Sequence, residues 1–477
     1  MKILSIPYLS EASTVNFQRP EDGYIEYRLD YSERWFEAEK HLDFSQNTIV
    51  TIRDVREGGI ESIPLDKKIE YYAHVIEKYG VLVDLELCNY LSGGQTLPPD
   101  KLILSKHIES KSTNSVAEIE KAIGQGNQFE TAYLKVVAPI NTFGELAEVE
   151  QLIATSKNRM IFVGVGKLGK LTRMLWRRLG SKAVYLGLEG SKTSGAQLTP
   201  EEDKLYDREM FDDETLIGGL IGGEQVYNSI GLEYYNKMFI SNGLNSVYLP
   251  FVVDDLDDFF EWAQNFSQRN RFYGFSVTMP HKKSIVSKYN RSRDEVCNLV
   301  IPNVDDLSES LPFGAEPLFY NTDKDGFNRS FQELQLKLSE KILIVGGGGV
   351  AETALQSLKR FQNVVVSSRN TQTGSPLAKE YGREFTHLSE LTSNSYDLVI
   401  NCTPLGMKGE DFFEEVGLGI PTKFLDLVYC KEGETSAVRK CRQSGVKCVD
   451  GKAFWKYQAE RQEQLFLHTI NELKNRI

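Results

Sequence analysis

Eight short runs of strand character recur through the first 200 residues: 2–8 (KILSIPY), 24–30 (YIEYRLD), 48–54 (TIVTIRD), 81–87 (VLVDLEL), 101–107 (KLILSKH), 131–137 (TAYLKVV), 159–165 (RMIFVGV) and 182–188 (KAVYLGL). Most are separated by stretches of helical period, and eight β-then-α units of this kind predict an α/β fold that opens with a (β/α)8 barrel. The polar residues inside the runs point to a site. Glu26, Arg28 and Asp30 close the second run, Arg53 the third, Asp84 and Glu86 the fourth and His107 the fifth, while Lys135 stands within the sixth. Groups near the C-terminal ends of many barrel strands converge on one mouth, where such folds carry their active sites.

Lys135 lies in the otherwise apolar stretch AYLKVVAP. A strand lysine can lay its stem on apolar surface and keep its ammonium in water. Held in a dry pocket, it instead loses its proton more readily than at the ordinary value of about 10.4 and can attack a carbonyl to form a Schiff base. The company of the other strand-end groups favours the second reading.

With 477 residues, 41% hydrophobic and 26% charged, the chain has the length of about three domains and an ordinary globular composition. A net charge of −12 argues against nucleic acid or an anionic membrane as partner and favours small molecules. The N-terminal apolar run is broken by Pro7, too short for a secretion signal, and no segment has the apolar length of a membrane span, so a cytoplasmic location is expected. The six cysteines form no CxxC pair and the six histidines no HExxH, so neither a disulfide framework nor a metal site is expected.

The charged stretch 199–215 (TPEEDKLYDREMFDDET) marks an expected boundary. Beyond it, KILIVGGGGVAETAL (341–355) runs an apolar strand into glycines and then a helix, the context of a dinucleotide-binding turn, with Gly346, Gly348 and Ala351 fitting G-x-G-x-x-G/A. The next strand, NVVVSSRN, ends in Ser367, Ser368 and Arg369 with no acidic residue for a ribose hydroxyl, which suits the 2′-phosphate of NADP.

Six motifs in order, EYRLD, TIRDVREGG, LSKH, YLKVVAP, VGKLGKLTR and TSGAQ, resemble the type I 3-dehydroquinate dehydratases. Val165, Thr172, Thr193 and Gly195 depart from that pattern, standing for methionine, two serines and proline. The resemblance implies Lys135 as the Schiff-base lysine, His107 as general acid and base, and Glu57 as the group orienting its imidazole. It places Arg173, Thr193 and Gln197 on the substrate carboxylate, and Glu26, Arg28 and Arg53 on ring hydroxyls.

In the second half, VYNSIGLEYYN, GFSVTMPHK, NTDKDG, DLVINCTPLGM and the C-terminal stretch through Gln458 resemble the shikimate dehydrogenases. That resemblance implies Lys282 and Asp323 as the catalytic pair, with Ser229, Gly231, Thr278, Asn303, Tyr429 and Gln458 about the substrate. Asn303 comes from IPNV, a partial match to Ala-Val-Asn-Thr. Gly346, Gly347, Gly348, Gly349, Val350, Ser368, Arg369, Thr403, Met407 and Gly451 are expected around NADP. Gly231 stands where the family's Ser-x-Ser-Pro has its second serine, which suggests some quinate oxidation.

Together the halves imply a bifunctional enzyme converting 3-dehydroquinate through 3-dehydroshikimate to shikimate. The expected domains are a barrel over 1–208, a substrate-binding domain over 216–330 completed by about 450–477, and a Rossmann domain over 331–449. Alternatives are a quinate-directed variant and a non-catalytic sensor or repressor on the same domains. The sequence gives no oligomeric state.

Overall fold

The fold is described from a computed structural model, over residues 1–9, 23–45, 47–109, 111–112, 114–206, 211–212, 214–267, 272–288, 296–305, 317–391, 396–430 and 433–475. Part of the expected boundary, 207–210 and 213, lies outside the described residues. Two compact units form: residues 1–217 with 236–271, and residues 218–235 with 272–477.

All eight N-terminal runs become strands: β1 (Lys2–Pro7), β2 (Tyr24–Arg28), β3 (Thr48–Thr51), β4 (Leu82–Glu86), β5 (Leu102–His107), β6 (Tyr133–Pro139), β7 (Met160–Val165) and β8 (Val184–Gly187). The helices among and after them are α1 (Leu65–Tyr79), α2 (Leu87–Ser92), α3 (Ser115–Gly126), α4 (Phe143–Thr155), α5 (Gly169–Met174) and α6 (Pro200–Tyr206). Strands β1 to β7 pair in sequence and in parallel, and β8 pairs with β1. Between β7 and β8 no ladder forms among the described residues, but the Lys182 N–H donates to Met160 O (2.8 Å) and the Phe162 N–H to Ser181 Oγ (3.0 Å), which ties the seam.

Strand alternation then sorts the barrel interior into layers. Ile3, Ile49, Leu82, Ile103, Tyr133 and Ile161 pack together as an apolar floor. Two residues further along, the same side of the strands carries Ser5, Thr51, Asp84, Ser105 and Lys135, joined from β2 by Glu26, all buried. One more step of two gives Arg28, Arg53, Glu86 and His107. The polar layers therefore follow directly from the period of the strands.

After the barrel come β9 (Leu216–Gly222), α7 (Ile230–Ser241), β10 (Ser246–Val252), α8 (Leu256–Ser267), β11 (Phe272–Val277), α9 (Ser284–Ser287), β12 (Leu299–Ile301), β13 (Leu318–Tyr320) and α10 (Asp323–Glu333). In the second unit β11, β12 and β13 are antiparallel neighbours. The Rossmann sheet is built from β14 (Ile342–Val345), β15 (Val364–Ser368), β16 (Glu384–His387), β17 (Leu398–Asn401), β18 (Lys423–Asp426) and β19 (Lys447–Val449), all parallel, in the order β16-β15-β14-β17-β18-β19. Its helices are α11 (Gly349–Ser357), α12 (Thr371–Glu380), α13 (Phe412–Val416) and α14 (Ser436–Gln443), and α15 (Gly451–Asn475) ends the chain. Ile342, Ile344, Val366 and Ile400 bury one face with residues of α11, and Leu343, Val345, Val399 and Phe424 bury the other with α13 and α14. A strand order that reverses beside β14 leaves a crevice at the carboxyl ends, where ligands of such sheets bind.

Within the first unit α8 completes a barrel helix. Asp258 accepts the backbone N–H groups of Phe143 (2.7 Å) and Gly144 (2.8 Å) at the start of α4, where Thr142 and Glu145 already form a capping box. Phe143 packs against the rings of both Phe259 and Trp262, each 5.1 Å away between centroids. Replacing Asp258 by Ala leaves two helix-start donors without their carboxylate, so the variant is expected to lose about 1–2 kcal/mol of unfolding free energy. Urea denaturation would measure it, and an unchanged midpoint would contradict the cap.

Candidate active sites

Lys135 ends in a pocket made almost wholly of charge. Its Nζ donates to Asp84 Oδ2 (2.9 Å), lies 3.7 Å from Glu26 Oε1 and sits 4.0 Å above the ring centre of Tyr185. Only 5% of the side chain reaches solvent. Glu26 is fixed by Ser5 Oγ (2.5 Å) and Thr51 Oγ1 (2.8 Å), both donating to its carboxylate. Arg53 lies 2.8 Å from Asp84 and 3.1 Å from Glu86, and also donates to Ser105 Oγ (2.7 Å). Burial pushes the Asp84 carboxyl up, but Arg53 and Lys135 outweigh it and hold the group well below the usual carboxylate range.

Glu86 in turn accepts from Lys68 Nζ (2.5 Å), which arrives from α1, and from Asn89 Nδ2 (2.8 Å). Arg28 makes a two-point pair with Asp30 at 2.9 and 2.8 Å. Asp30 also accepts the backbone N–H of Arg53 (3.2 Å).

His107 closes β5 beside Glu57, which follows β3. Glu57 Oε2 accepts the backbone N–H of His107 (2.7 Å) and lies 3.4 Å from its Nδ1, which makes no hydrogen bond among the described residues. Burial, with Arg53 and Lys135 nearby, holds the imidazole well below its ordinary value, so the ring is neutral and able to accept a proton. Burial also raises Glu57 against the pull of Lys106, whose Nζ bonds its other oxygen at 2.9 Å.

Arg173 is 3% exposed, yet it has no carboxylate partner among the described residues. Its Nη1 donates to the carbonyls of Gly164 and Gly169, its Nε has no partner, and burial lowers it to about 10. A buried guanidinium in that condition is suited to an incoming anion. Nearby in sequence, Gln197 holds the 193–197 loop, accepting the Thr193 N–H (2.8 Å) and donating to Thr193 Oγ1 (3.0 Å). Thr193 Oγ1 reaches the Lys135 surroundings through Ser5 Oγ at 3.4 Å.

In the second unit Lys282, after β11, donates to Asp323 Oδ2 (2.6 Å) at the first residue of α10. Asp323 Oδ1 accepts from Asn298 Nδ2 (2.9 Å), which also reaches Gln458 Oε1 (2.9 Å) on α15. Asn298 Oδ1 accepts the Thr322 N–H (2.8 Å), and Gln462 binds Thr322 Oγ1 (3.1 Å), Tyr235 and Ser276. Asn303, expected about the substrate, has its Oδ1 accepting the Asp305 N–H (3.2 Å) in the following turn, and the asparagine that touches the Lys282–Asp323 pair is Asn298. Ser229, Thr278 and Tyr429 make no hydrogen bond to Lys282 or Asp323 among the described residues. Ser229 Oγ instead accepts the Gly231 N–H (3.2 Å). A Cβ on Gly231 would meet Ser229 Oγ at 3.2 Å, Tyr235 at 3.4 Å and Trp455 at 3.6 Å, so the space expected there is already lined.

The glycine turn has the form a dinucleotide requires. Gly346 has φ +137°, and a Cβ there would press on Cys402 at the end of β17. At Gly348 and Gly349 a Cβ would meet nothing within 4 Å, which leaves the start of α11 open, and no side chain caps that helix. Val350 follows in its first turn. Gly347 faces Gly374 of α12, and Gly451 approaches the backbone of Val428 too closely for any side chain. Ser368 ends β15 and donates to Asn370 O (2.8 Å), while Arg369 makes no ion pair among the described residues. Thr403 bonds Asn401 Oδ1 (2.6 Å), and Met407 is exposed.

The family model for type I 3-dehydroquinase matches residues 23–204, and that for the shikimate dehydrogenase substrate binding domain matches 221–299. The chain is 31% identical over 244 residues to shikimate dehydrogenase (NADP(+)) of Thermoplasma acidophilum, covering 49% of this chain and 83% of that protein. The chain belongs to the shikimate dehydrogenase family, preceded by a type I 3-dehydroquinase domain. The chloroplastic bifunctional 3-dehydroquinate dehydratase/shikimate dehydrogenase of Arabidopsis thaliana is 24% identical over 449 residues, 88% of this chain and 72% of that protein. The solved dehydroquinate dehydratase and shikimate dehydrogenase of S. pombe AroM aligns over 99% of this chain and 97% of its own with 19% identity and a TM-score of 0.40.

Several members of the charged network around Lys135 escape a strand-end reading. Lys68 enters from a helix, Asn89 from α2, and Tyr185 offers Lys135 a ring face rather than a polar atom. Ser5 and Ser105 were legible, since each stands at the inward register two residues beyond a floor residue. In the dehydrogenase half the signal for Asn298 was its place just before β12, opposite the Thr322–Asp323 turn.

Asp84 ties these charges together, which makes its removal diagnostic. Asp84→Asn leaves Arg53 and Lys135 under-compensated in a dry site and is expected to destabilise the barrel by about 3–5 kcal/mol at neutral pH. Because its folded pKa is depressed, the wild-type advantage is present above the unfolded value near 3.8 and fades as pH falls below it. Denaturation at pH 7 and near pH 3.5 would measure this, and a deficit that grows on acidification would contradict it.

Proposed function

We propose that the chain dehydrates 3-dehydroquinate to 3-dehydroshikimate through an imine on Lys135 and then reduces that product to shikimate with NADPH. The observation that carries the reading is the buried Lys135 ammonium among Asp84, Glu26 and Tyr185, beside the Glu57–His107 pair.

The lysine rests as an ammonium on Asp84 and gives up its proton when it attacks the ketone; expulsion of water then leaves an iminium at the same place. The carboxylates and ring face that hold the ammonium serve the iminium equally, since both are cations at one position. The iminium makes the neighbouring C–H more acidic. Neutral His107 takes that proton, becomes an imidazolium facing Glu57 and passes a proton to the departing hydroxyl. Water then hydrolyses the imine and frees Lys135. Arg173, without a carboxylate partner among the described residues, holds the substrate carboxylate with Thr193 and Gln197, while Glu26, Arg28 and Arg53 meet ring hydroxyls.

In the dehydrogenase half, NADPH supplies a hydride when bound. Reduction of a ketone leaves an alkoxide that must gain a proton, and Lys282, paired with Asp323 at 2.6 Å, is placed to give it. Asn298 and Gln458 fix the carboxylate's orientation. The open glycine turn at α11 would receive the pyrophosphate, and Arg369 with Ser368 the 2′-phosphate. Neither a non-catalytic sensor nor a quinate-directed variant is favoured: Lys135, His107, Lys282 and Asp323 are all present, and the space at Gly231 is lined.

Borohydride added with 3-dehydroquinate should leave a reduced covalent adduct on the peptide containing Lys135. Lys135→Ala should cut dehydration to less than about a thousandth while dehydroshikimate reduction persists. An adduct on another lysine would overturn the imine assignment.

For the cofactor, Arg369→Asp places a carboxylate against the 2′-phosphate and should lower the NADP over NAD preference in kcat/KM by at least about tenfold. An unchanged ratio would remove Arg369 from the cofactor site.

A further inference from the structure

We propose that Lys106 is a positioning residue of the dehydration, holding the Glu57 carboxylate charged and turned toward the His107 imidazole. The inference rests on the dehydratase reading above. Lys106 and His107 are neighbours on β5, so their side chains leave opposite faces of the strand, yet both meet Glu57. Glu57 Oε1 takes Lys106 Nζ at 2.9 Å, while Oε2 takes the His107 backbone N–H at 2.7 Å and lies 3.4 Å from Nδ1. The carboxylate is thus clamped at both oxygens. Glu57 is 2% exposed and Lys106 35%, so the lysine lies on the solvent side of the carboxylate and shields it.

Lys106 also lines a cavity of about 410 Å³ with Cys88, Glu118 and Lys121, away from the Lys135 pocket, so it reaches Glu57 from outside the mouth. The charged and titratable groups that act on Glu57 are Lys106 on β5, Arg53 after β3 and Cys88 on α2; those that act on His107 are Arg53, Lys135, Asp84 and Arg28. Burial favours the neutral carboxyl at Glu57, and Lys106 opposes it. A neutral Glu57 cannot stabilise the imidazolium formed when His107 takes the substrate proton. Loss of the ammonium therefore raises the proton affinity of Glu57, and once Glu57 is neutral the imidazolium has no anion facing it, so the working acid–base pair is intact only at higher pH.

The test is the pH profile of kcat/KM for dehydration in Lys106→Met, Lys106→Gln and Lys106→Arg, with dehydroshikimate reduction as the check that the chain is folded. The acid limb should move up by about one pH unit in the Met and Gln variants, stay in place in the Arg variant, and leave the rate above the limb within a few-fold of wild type. A uniform fall at every pH with an unmoved limb, or an Arg variant as impaired as Met, would overturn the proposal. Wild-type protein without dehydration would instead sink the functional reading.

Discussion

The buried pairing of Arg53 with Asp84 is the interaction on which the barrel's mouth depends. Each charge taken from water at the strand ends carries a desolvation cost of several kcal/mol, tolerable only where partners are close and lone pairs are filled. Asp84 binds Arg53 on one side and Lys135 on the other, Glu86 binds Arg53 and Lys68, and Ser105 bridges to both Asp84 and Arg53. The network draws on β4, β5, α1 and the segment after β3, so Lys135 on β6 is held in place by groups from four other parts of the chain. A side chain with four rotatable bonds becomes, in this setting, a fixed point.

Much of this was legible before any coordinates. Strand period two sets polar residues two steps beyond apolar ones, and so the layers could be read from Ile3 and Ser5, Leu82 and Asp84, or Tyr133 and Lys135. The glycine turn was equally plain, because an apolar strand running into Gly346 and Gly348 and then a helix fits G-x-G-x-x-G/A. Less legible was anything that depends on which helix face meets which strand end. Lys68 reads as one more charged residue on an amphipathic helix, and its burial against Glu86 is a tertiary fact. Asn298 stood beside a nearby asparagine that fitted the expected motif partly, and only the turn at Thr322 distinguishes them.

The two halves solve one chemical problem in different ways. Both hold a lysine ammonium against an aspartate, Lys135 on Asp84 at 2.9 Å and Lys282 on Asp323 at 2.6 Å. Lys135 is enclosed by a second carboxylate and a ring, which suits a site where one cation replaces another. Lys282 is more open, with 17% of its side chain exposed, and its aspartate leans on the neutral amide of Asn298.

The cap that Asp258 places on α4 bears on what counts as a module in this chain. Sequence similarity to the 3-dehydroquinase family ends at residue 204, but the carboxylate that caps the start of α4 lies 114 residues downstream of Gly144. A chain cut at the boundary suggested by sequence would keep Glu57, His107 and Lys135 and lose the carboxylate and aromatic cover of one of its helices. The recombination unit visible in the sequence and the cooperative unit visible in the packing are therefore offset by a helix, and a dehydratase excised at the first would carry an interface shaped for the second.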